Sequence, residues 1–164
     1  VGQFTNKDNK SAHSTTTAME IIEQVPGDVN ALVLGVGTGG TISGIGEKLK
    51  KVYEGIRIYA VEPDESPVLS GGSPGVHGID GIGVGFIPDA LNTDIYDEVI
   101  RIKSEDAKLF TKEIVRKEGI LVGISSGANC LAAKMVAEKM DNTKNVLTVC
   151  CDTGERYLST GLYS

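Results

Sequence analysis

Several residue types and segments are scarce in this sequence of 164 residues. Tryptophan is absent, and aromatic residues make up 5% of the chain. The longest apolar runs, such as residues 31–34, fall far short of the ~20 residues that a membrane-spanning helix needs. Positive charge is in deficit, since 16 Lys and Arg stand against 22 Asp and Glu. Nucleic-acid binders and polybasic membrane-surface proteins normally present a basic face, so this composition argues against both functions.

Cysteine is scarce as well, with three residues, of which Cys150 and Cys151 are adjacent in an apolar stretch. A disulfide between neighbours would be strained, and a secreted framework held by disulfides needs more cysteines in even number. The N-terminal segment is polar and contains no signal-peptide core. We therefore expect buried, reduced thiols in a cytoplasmic protein.

Apolar periodicity and turn residues predict strands that alternate with helices. The predicted strands cover residues 31–34, 56–61, 98–102 and 145–150, the last of them buried, and the predicted helices cover residues 17–24, 41–52, 104–117 and 128–140. Thr17 and Glu20 match a capping box, and Ser104 is expected to cap its helix. The long stretch 64–93, rich in Gly, Pro and Ser, is expected to be a functional loop. Such alternation is typical of right-handed βαβ units, so we expect one α/β domain, a three-layer αβα arrangement of a mostly parallel sheet with helices on both faces.

Residues 35–41, with the sequence GVGTGGT, place glycines between a predicted strand and a predicted helix. Glycines let backbone N–H groups approach an anion closely, and the N-terminus of a helix adds a favourable dipole. Gly35, Gly37 and Gly40 satisfy the pattern G-x-G-x-x-G, and Glu62 stands where a ribose-binding acid would be. A nicotinamide-dinucleotide site is therefore one alternative, and a turn that only packs the helix on the strand is another.

Two further features favour a compact cofactor with a terminal phosphate. Thr38 and Thr41 add hydroxyl donors to the amides of the loop. A second turn at residues 123–127 (GISSG) precedes another helix, and in a doubly wound sheet both turns would lie at the carboxyl ends of strands. Together the two turns would hold two parts of one cofactor. Alternatively, Ser125 and Ser126 only cap the helix that follows them.

Five segments of the chain are similar, in their order, to one enzyme family. They are residues 3–6 (QFTN) with His13, Thr15 and Thr16, residues 37–41 (GTGGT), residues 81–88 (GIGVGFIP), residues 123–127 (GISSG) and residues 152–160 (DTGERYLST). Together they resemble the cysteine synthases, or O-acetylserine sulfhydrylases, which are fold-type II pyridoxal-phosphate enzymes. Lys7, Ala18-Met19, Val84 and Cys151 depart from the usual pattern, which leaves the choice among close sulfhydrylase relatives open.

The resemblance implies roles for individual residues of this chain. It assigns the phosphate group of pyridoxal 5′-phosphate to the glycine–threonine loop, namely Gly37, Thr38, Gly39, Gly40 and Thr41. Ser125 would meet the pyridine nitrogen, where a neutral hydroxyl leaves that nitrogen unprotonated. Gln3 would help to hold the substrate carboxylate, and Gly81 and Gly83 would line the site through their backbones. No metal ligand is implied.

Two segments of the family pattern do not occur in this chain. The Schiff-base lysine of the family lies in an S-x-K-D-R-like motif and the substrate loop reads T-S-G-N-T-G, and both precede the segment that matches residues 3–6. The lysines that are present fall mostly on predicted exposed helix faces and turns. Residues 1–164 therefore resemble the C-terminal half of a cysteine synthase, and we expect a single cofactor-anchoring domain. Since the chain does not begin with methionine, it is expected to be an excised piece or a domain encoded alone.

For the intact enzyme, the resemblance implies conversion of O-acetylserine and sulfide to cysteine and acetate by β-replacement. The isolated chain is predicted to be inactive and to bind pyridoxal phosphate weakly, because it lacks the lysine. A second copy of the chain and the C-terminal tail of serine acetyltransferase are the implied partners. Three alternatives stay open: a nicotinamide-binding domain, a non-catalytic binding module, and another β-replacement enzyme such as cystathionine β-synthase.

Overall fold

A parallel β-sheet forms the centre of the molecule. The computed structural model describes residues 2–163, so Val1 and Ser164 of the predicted domain lie outside the described residues. The strands are β1 (Ala31–Gly35), β2 (Arg57–Pro63), β3 (Glu98–Ile102) and β4 (Val146–Thr148). Within residues 2–163 they form one sheet in the order β3-β2-β1-β4, and every neighbouring pair is parallel.

Helices precede the first strand and lie in two of the three connections between strands. They are α1 (Lys7–Thr15), α2 (Thr17–Gln24), α3 (Gly40–Val52), α4 (Ser104–Glu118) and α5 (Ile124–Ala137), and a 3₁₀ helix covers Gly154–Thr160. In the described part of the chain, no helix is both long enough and apolar enough to cross a membrane. Helix α3 thus connects β1 to β2, and α4 and α5 connect β3 to β4, whereas the connection from β2 to β3, residues 64–97, contains no helix. All three connections are long enough for the crossover that parallel pairing requires.

The central strands bury side chains on both faces of the sheet. Alternate residues of a strand point to opposite faces. Leu32 and Leu34 accordingly pack with Ile45 of α3, whereas Val33 belongs to a second cluster with Ala107 of α4 and Ala128 of α5. Full burial of one Leu or Ile side chain stabilises the fold by about 1.5–3 kcal/mol, so both clusters contribute strongly. The predicted three-layer αβα architecture is confirmed.

The last two predicted elements have different boundaries in the structure. Helix α5 begins at Ile124 rather than at residue 128, so Ser125 and Ser126 lie in its first turn. Strand β4 is shorter than predicted and lies at the edge of the sheet, where its residues are half-buried. The prediction of a buried final strand is therefore wrong, because β4 has a neighbouring strand on one side only within residues 2–163.

Local capping differs from the prediction at two helices. Thr17 is the first residue of α2, and its hydroxyl lies 3.1 Å from Nδ1 of His13, so it forms no capping box with Glu20. Ser104 is likewise the first residue of α4, and its Oγ accepts a hydrogen bond from the N–H of Gly78 at 2.7 Å. In both cases a group outside the helix binds the hydroxyl, and the predicted caps are wrong.

Helix α1 is not predicted by the sequence patterns. None of its residues is buried, so it has no apolar periodicity. Asn6 caps it, since Oδ1 of Asn6 accepts a hydrogen bond from the N–H of Asp8 at 2.9 Å. The helix packs across α3 at Gly44, where an added Cβ would lie 2.9 Å from Cβ of His13. This packing places α1 beside the glycine loop that precedes α3.

The three cysteines are free, but the prediction that they are buried is wrong. Cys150 and Cys151 are exposed, and Cys130 is half-buried. Because β4 ends at Thr148, the adjacent pair lies in the connection after the strand rather than inside it.

Candidate functional site

A cleft of about 380 Å³ lies between the glycine loop after β1 and the N-terminal turn of α5. The predicted site residues that line it are Gly37, Thr38, Gly39, Thr41, Gly81 and Ser125, whereas Gly40, Gly83 and Gln3 do not. A larger cavity of about 650 Å³, between β3 and the C-terminal end of α5, contains none of the predicted residues. We take the smaller cleft as the candidate site, because polar groups from distant segments converge there at the carboxyl ends of parallel strands.

The glycines of the loop are required by the packing of the protein itself. Gly39 precedes α3 with a φ of +82°, a conformation that favours glycine. A Cβ on Gly39 would lie 2.5 Å from Cβ of Leu91, and a Cβ on Gly37 would collide with the carbonyl oxygen of Gly81. The conformation of the loop is therefore determined by neighbouring protein atoms, independently of any ligand.

The N-terminus of α3 presents backbone N–H groups beside the cleft. The first hydrogen bond of the helix runs from the N–H of Ser43 to the carbonyl of Gly39 at 3.1 Å. The N–H groups of Thr41 and Ile42 consequently have no acceptor within the helix. Such groups at the positive end of a helix dipole form a favourable site for an anion such as phosphate.

Asn9 of α1 orients the hydroxyl of Thr38. Its Nδ2 donates hydrogen bonds to Oγ1 of Thr38 at 2.9 Å and to the backbone carbonyl of Gln3 at 2.8 Å. Oγ1 of Thr38 also accepts from the N–H of Gly40 at 3.3 Å. A hydroxyl has two lone pairs and one proton, so both lone pairs of Thr38 are occupied and its proton is left to donate. Thr38 is thus set as a hydrogen-bond donor at the cleft.

His13 of α1 holds the second threonine of the loop. Its Nε2 lies 3.2 Å from Oγ1 of Thr41, and its Nδ1 lies 3.1 Å from Oγ1 of Thr17. Partial burial lowers the pKa of His13 below its usual value, so the imidazole is neutral at pH 7. A neutral ring has one donor and one acceptor. In the tautomer with the proton on Nε2, the ring donates to Thr41 and leaves the hydroxyl proton of Thr41 for a ligand.

Ser125 lines the cleft from the first turn of α5. The residue is 4% exposed, and a Cβ on Gly81 would lie 3.7 Å from its Oγ. The residue before the helix is Gly123, and no side chain caps α5, so the alternative in which Ser125 and Ser126 cap this helix is wrong. Within residues 2–163, Oγ of Ser125 forms no hydrogen bond, and it keeps some accessible surface. It is therefore available to a ligand atom.

A cluster of hydrogen bonds around Asp152 holds the N-terminal turn of α5 in place. Oγ of Ser126 donates to Oδ1 of Asp152 at 2.5 Å, and the hydroxyl of Tyr157 donates to Oδ2 at 2.7 Å. Burial, together with the carboxylate of Asp152, raises the pKa of Tyr157, so the phenol stays protonated. The cluster connects α5 to the segment after β4 and to the 3₁₀ helix, and it keeps Ser125 at the cleft.

Glu62 binds groups of the protein itself, whereas the dinucleotide alternative predicts that it binds a ribose. Its side chain is almost fully buried. The carboxylate accepts hydrogen bonds from the N–H of Leu69 at 2.7 Å, the N–H of Ser70 at 3.1 Å and the hydroxyl of Ser70 at 2.5 Å. These donors belong to the loop 64–93, which the carboxylate anchors to the end of β2. Glu62 is therefore a structural residue and is not free to bind a ribose.

The three predicted substrate residues have different positions. Gly81 lines the cleft with a φ of +95°. Gly83 lies outside it, where its N–H donates to the carbonyl of Val36 at 3.0 Å and a Cβ would lie 2.5 Å from Cγ of Pro63. Gln3 is exposed, and its backbone carbonyl is bound by Asn9. Of these three, Gly81 is the residue that the structure brings to the cleft.

Comparison with known proteins gives the family of the chain. The family of pyridoxal-phosphate dependent enzymes matches residues 1–152. The chain belongs to this family. The family and the cofactor implied by the resemblance are thereby confirmed.

Individual members of the pyridoxal-phosphate-dependent family resemble the chain closely. It is 50% identical to a cysteine synthase of Staphylococcus aureus over 163 residues, which cover 99% of this chain and 53% of that protein. It is 51% identical to a probable cysteine synthase of Bacillus subtilis over 165 residues, again 99% of this chain and 53% of that protein. The crystal structure of O-acetylserine sulfhydrylase isoform 3 from Entamoeba histolytica superimposes with a TM-score of 0.95 at 47% identity, over 99% of this chain and 48% of that chain. The chain spans about half the length of these relatives.

The cleft fits the cofactor of the pyridoxal-phosphate-dependent family. Free N–H groups and two threonine hydroxyls at the start of α3 match a phosphate, and the unpaired hydroxyl of Ser125 matches a hydrogen-bonding ring atom. Within residues 2–163, no group of three or more His, Cys, Asp or Glu side chains is arranged to hold a metal ion. The residues that sequence reasoning missed, Asn9 and Asp152, act through other residues. The family motifs include neither residue among the predicted ligands.

Proposed function

We propose that this chain is the cofactor-anchoring part of a cysteine synthase, an enzyme that converts O-acetylserine and sulfide to cysteine and acetate with pyridoxal 5′-phosphate. The observation that carries the proposal is the cleft, in which Thr38 and Thr41 lie at one side and Ser125 at another. The names of the relatives at 50% and 51% identity support the same activity. Residues 1–164 are proposed to act as one domain.

The loop before α3 would bind the phosphate group. When bound, pyridoxal phosphate supplies an electron sink for removal of a proton from the α-carbon of an amino acid. The hydroxyls of Thr38 and Thr41 and the N–H groups of Thr41 and Ile42 would donate to the phosphate oxygens. Gly37, Gly39 and Gly40 would contribute by allowing a backbone conformation that side chains at these positions would prevent.

Ser125 would bind the pyridine nitrogen. A neutral hydroxyl donates a hydrogen bond to an unprotonated ring nitrogen, whereas a carboxylate would favour the protonated ring. The Oγ of Ser125 has no competing partner within the described residues, so binding costs no existing hydrogen bond. The bonds of the adjacent Ser126 to Asp152 keep this turn rigid, which positions the hydroxyl before the cofactor arrives.

Gln3 and Gly81 would act on the substrate. The amide of Gln3 is exposed and would donate to the carboxylate of O-acetylserine, while Asn9 ties its backbone to the phosphate loop. Gly81 would allow close approach of the substrate through its backbone, with Gly83 supporting it by packing against Pro63. The lysine that holds the cofactor in this family would come from the half of the relatives that this chain does not match.

One competing activity is a different β-replacement reaction. An O-acetylserine-dependent cystathionine β-synthase from Helicobacter pylori superimposes on the chain with a TM-score of 0.93 at 40% identity. The two reactions share O-acetylserine and differ in the sulfur nucleophile, which is sulfide in one case and homocysteine in the other. A cytoplasmic location, a homodimer and binding of the C-terminal tail of serine acetyltransferase also belong to the proposal.

Two measurements test the proposed function. The full encoded protein, joined to the missing half if the chain is encoded alone, should release acetate from O-acetylserine when sulfide is added, and faster than with homocysteine. The chain of 164 residues by itself should bind pyridoxal phosphate reversibly, detected by its absorption, and borohydride should leave no stoichiometric adduct. Turnover by the purified chain alone, or a preference for homocysteine, would contradict the proposal.

A further inference from the structure

Two of the cysteines form a contact outside the proposed cofactor contacts. Cys130 lies on α5, and Cys150 lies in the connection after β4. Their Sγ atoms are 4.0 Å apart, although the residues are separated by 20 positions in the chain. Cys150 is exposed to solvent and Cys130 is half-buried. A reagent in solution therefore reaches Cys150 directly, with a second thiol in contact behind it.

The environment makes Cys150 the most acidic of the three thiols. The hydrogen bond from the thiol of Cys130 lowers the pKa of Cys150 to about 7 and raises the pKa of Cys130, while the carboxylate of Asp152 opposes ionisation of Cys150. Burial raises the pKa of the adjacent Cys151 to about 11. The thiolate is the nucleophilic form of cysteine, so Cys150 reacts first with an electrophile or oxidant.

Asn129 connects this thiol pair to the cleft. It precedes Cys130 on α5 and is fully buried. Its Oδ1 accepts from the N–H of Gly35 at 2.7 Å, and its Nδ2 donates to the carbonyl of Val149 at 3.0 Å and to Sγ of Cys151 at 3.2 Å. Gly35 and Cys151 both line the cleft. Asn129 therefore joins the segment after β4 to residues that face the cleft.

We propose that Cys130 and Cys150 are a redox-active thiol pair that a hydroperoxide converts to a disulfide, and that this disulfide weakens ligand binding in the cleft. The thiolate of Cys150 attacks the terminal oxygen of the hydroperoxide, so that the S–O bond of a sulfenic acid forms as the O–O bond breaks. The departing oxygen takes a proton from solvent and leaves as alcohol or water. The sulfur of Cys130 then attacks the sulfur of Cys150, so that the S–S bond forms and the S–O bond breaks. The hydroxide leaves as water with the proton of Cys130. The two sulfurs together lose two electrons, which reduce the peroxide.

The disulfide requires a movement at the edge of the sheet. The two sulfur atoms must approach from 4.0 Å to about 2.0 Å. Cys130 lies within a packed helix, whereas Cys150 follows an edge strand whose residues are half-buried. The movement therefore falls mainly on the segment after β4. That segment contains Cys151 and Val149, both of which bind Asn129.

The first experiment identifies the disulfide itself. The reduced full encoded protein is treated with one equivalent of hydrogen peroxide, alkylated and digested with trypsin. Cys130 lies between the cleavage sites Lys117 and Lys134, whereas Cys150 and Cys151 share one peptide. The digest is therefore repeated with Cys151→Ser, so that a link to this peptide can be assigned to Cys150. We expect a linked peptide pair in the wild type and in Cys151→Ser. The pair should be absent from Cys130→Ser and Cys150→Ser.

The adjacent cysteine provides the matched control. Cys151→Ser changes the neighbouring thiol and leaves the proposed pair intact, so it should form the link at the wild-type rate. A link through Cys151, or complete alkylation of Cys130 and Cys150 after peroxide treatment, would overturn the proposal.

The second experiment measures the effect on the cleft, and this part rests on the proposed function. Peroxide treatment should weaken the affinity for pyridoxal phosphate several-fold in the wild type, reversibly with dithiothreitol, and leave Cys130→Ser unchanged. An unchanged affinity in a fully linked protein would overturn the coupling. Absence of pyridoxal phosphate binding in both redox states would instead contradict the proposed function, while the peptide analysis decides on the thiol pair separately.

Discussion

The side-chain amide of Asn9 donates a hydrogen bond to the hydroxyl of Thr38 at 2.9 Å and thereby joins α1 to the glycine loop. Helix α1 has no buried residue, so apolar burial contributes little to its position. Its attachment depends instead on polar contacts of Asn9 and His13 and on close packing at Gly44. The first helix of the chain is thus part of the phosphate-binding machinery that we propose.

Replacement of Asn9 tests this relationship. Asn9→Ala should weaken the affinity for pyridoxal phosphate about fivefold, because a single hydrogen bond contributes roughly 1 kcal/mol. Without the amide, Thr38 has an unoccupied lone pair, and its proton is no longer directed to the ligand. Titration by absorbance measures the change. Asn142→Ala, at an exposed asparagine, is the control and should bind like the wild type. Equal affinity of the two variants would contradict the role of Asn9.

His13 should make the stability of the fold depend on pH. Burial lowers the pKa of His13 in the folded state below its value in the unfolded chain, which is about 6.5. Between these two pKa values the unfolded chain binds more protons, so the free energy of unfolding rises with pH in this window. Stability should therefore fall as the pH is lowered from about 6.5 toward the folded-state pKa.

The variant His13→Gln isolates this contribution. Glutamine does not titrate, so denaturation with urea at pH values from 7.5 to 5.5, a range chosen to bracket roughly the ordinary histidine pKa, should give a flatter curve than the wild type. Parallel curves for the two proteins would show that His13 is not the titrating group.

Two glycines with similar backbone conformations allow the cost of backbone strain to be measured separately from the cost of a steric clash. Gly39 and Gly55 have φ values of +82° and +74°, but a Cβ on Gly55 has nothing within 4 Å, whereas one on Gly39 lies 2.5 Å from Leu91. Gly55→Ala should cost roughly 1–2 kcal/mol from the left-handed conformation alone. Gly39→Ala should cost about 1–3 kcal/mol more, because the loop or Leu91 must move. Urea denaturation measures both, and equal losses would refute the packing argument.

Ser125 distinguishes a contact with the cofactor from a purely structural serine. In the complete enzyme, Ser125→Ala should lower turnover and shift the absorption of the cofactor, with little loss of stability, since Ser125 does not cap α5. Ser125→Asp should be more harmful, because a carboxylate favours the protonated pyridine nitrogen. Ser73→Asp, at an exposed position in the long loop, controls for added charge. Unchanged spectra and kinetics in Ser125→Asp would contradict the assignment of Ser125 to the pyridine nitrogen.

Local patterns in the sequence predicted the sheet and its two helical layers. The strands at residues 31–34 and Glu98–Ile102 were predicted correctly because the local pattern of apolar residues along the chain indicates a buried strand. The glycine loop was found for a related reason, since its residues are contiguous. The predictions of helix caps at Thr17 and Ser104 were wrong. The hydroxyls of these residues contact His13 and Gly78, which belong to other segments of the chain.

The sequence by itself determined the fold class, the family and the short segments that meet at the cleft, because each is encoded by neighbouring residues. The tertiary structure alone decided what these residues contact. It showed that Glu62 anchors a loop rather than facing a ligand, that Asn9 orients Thr38, and that Cys130 meets Cys150. These pairs join segments that are distant in the chain or lie on different elements. Such contacts follow from the packing of helices on the sheet, which no local pattern of residues specifies.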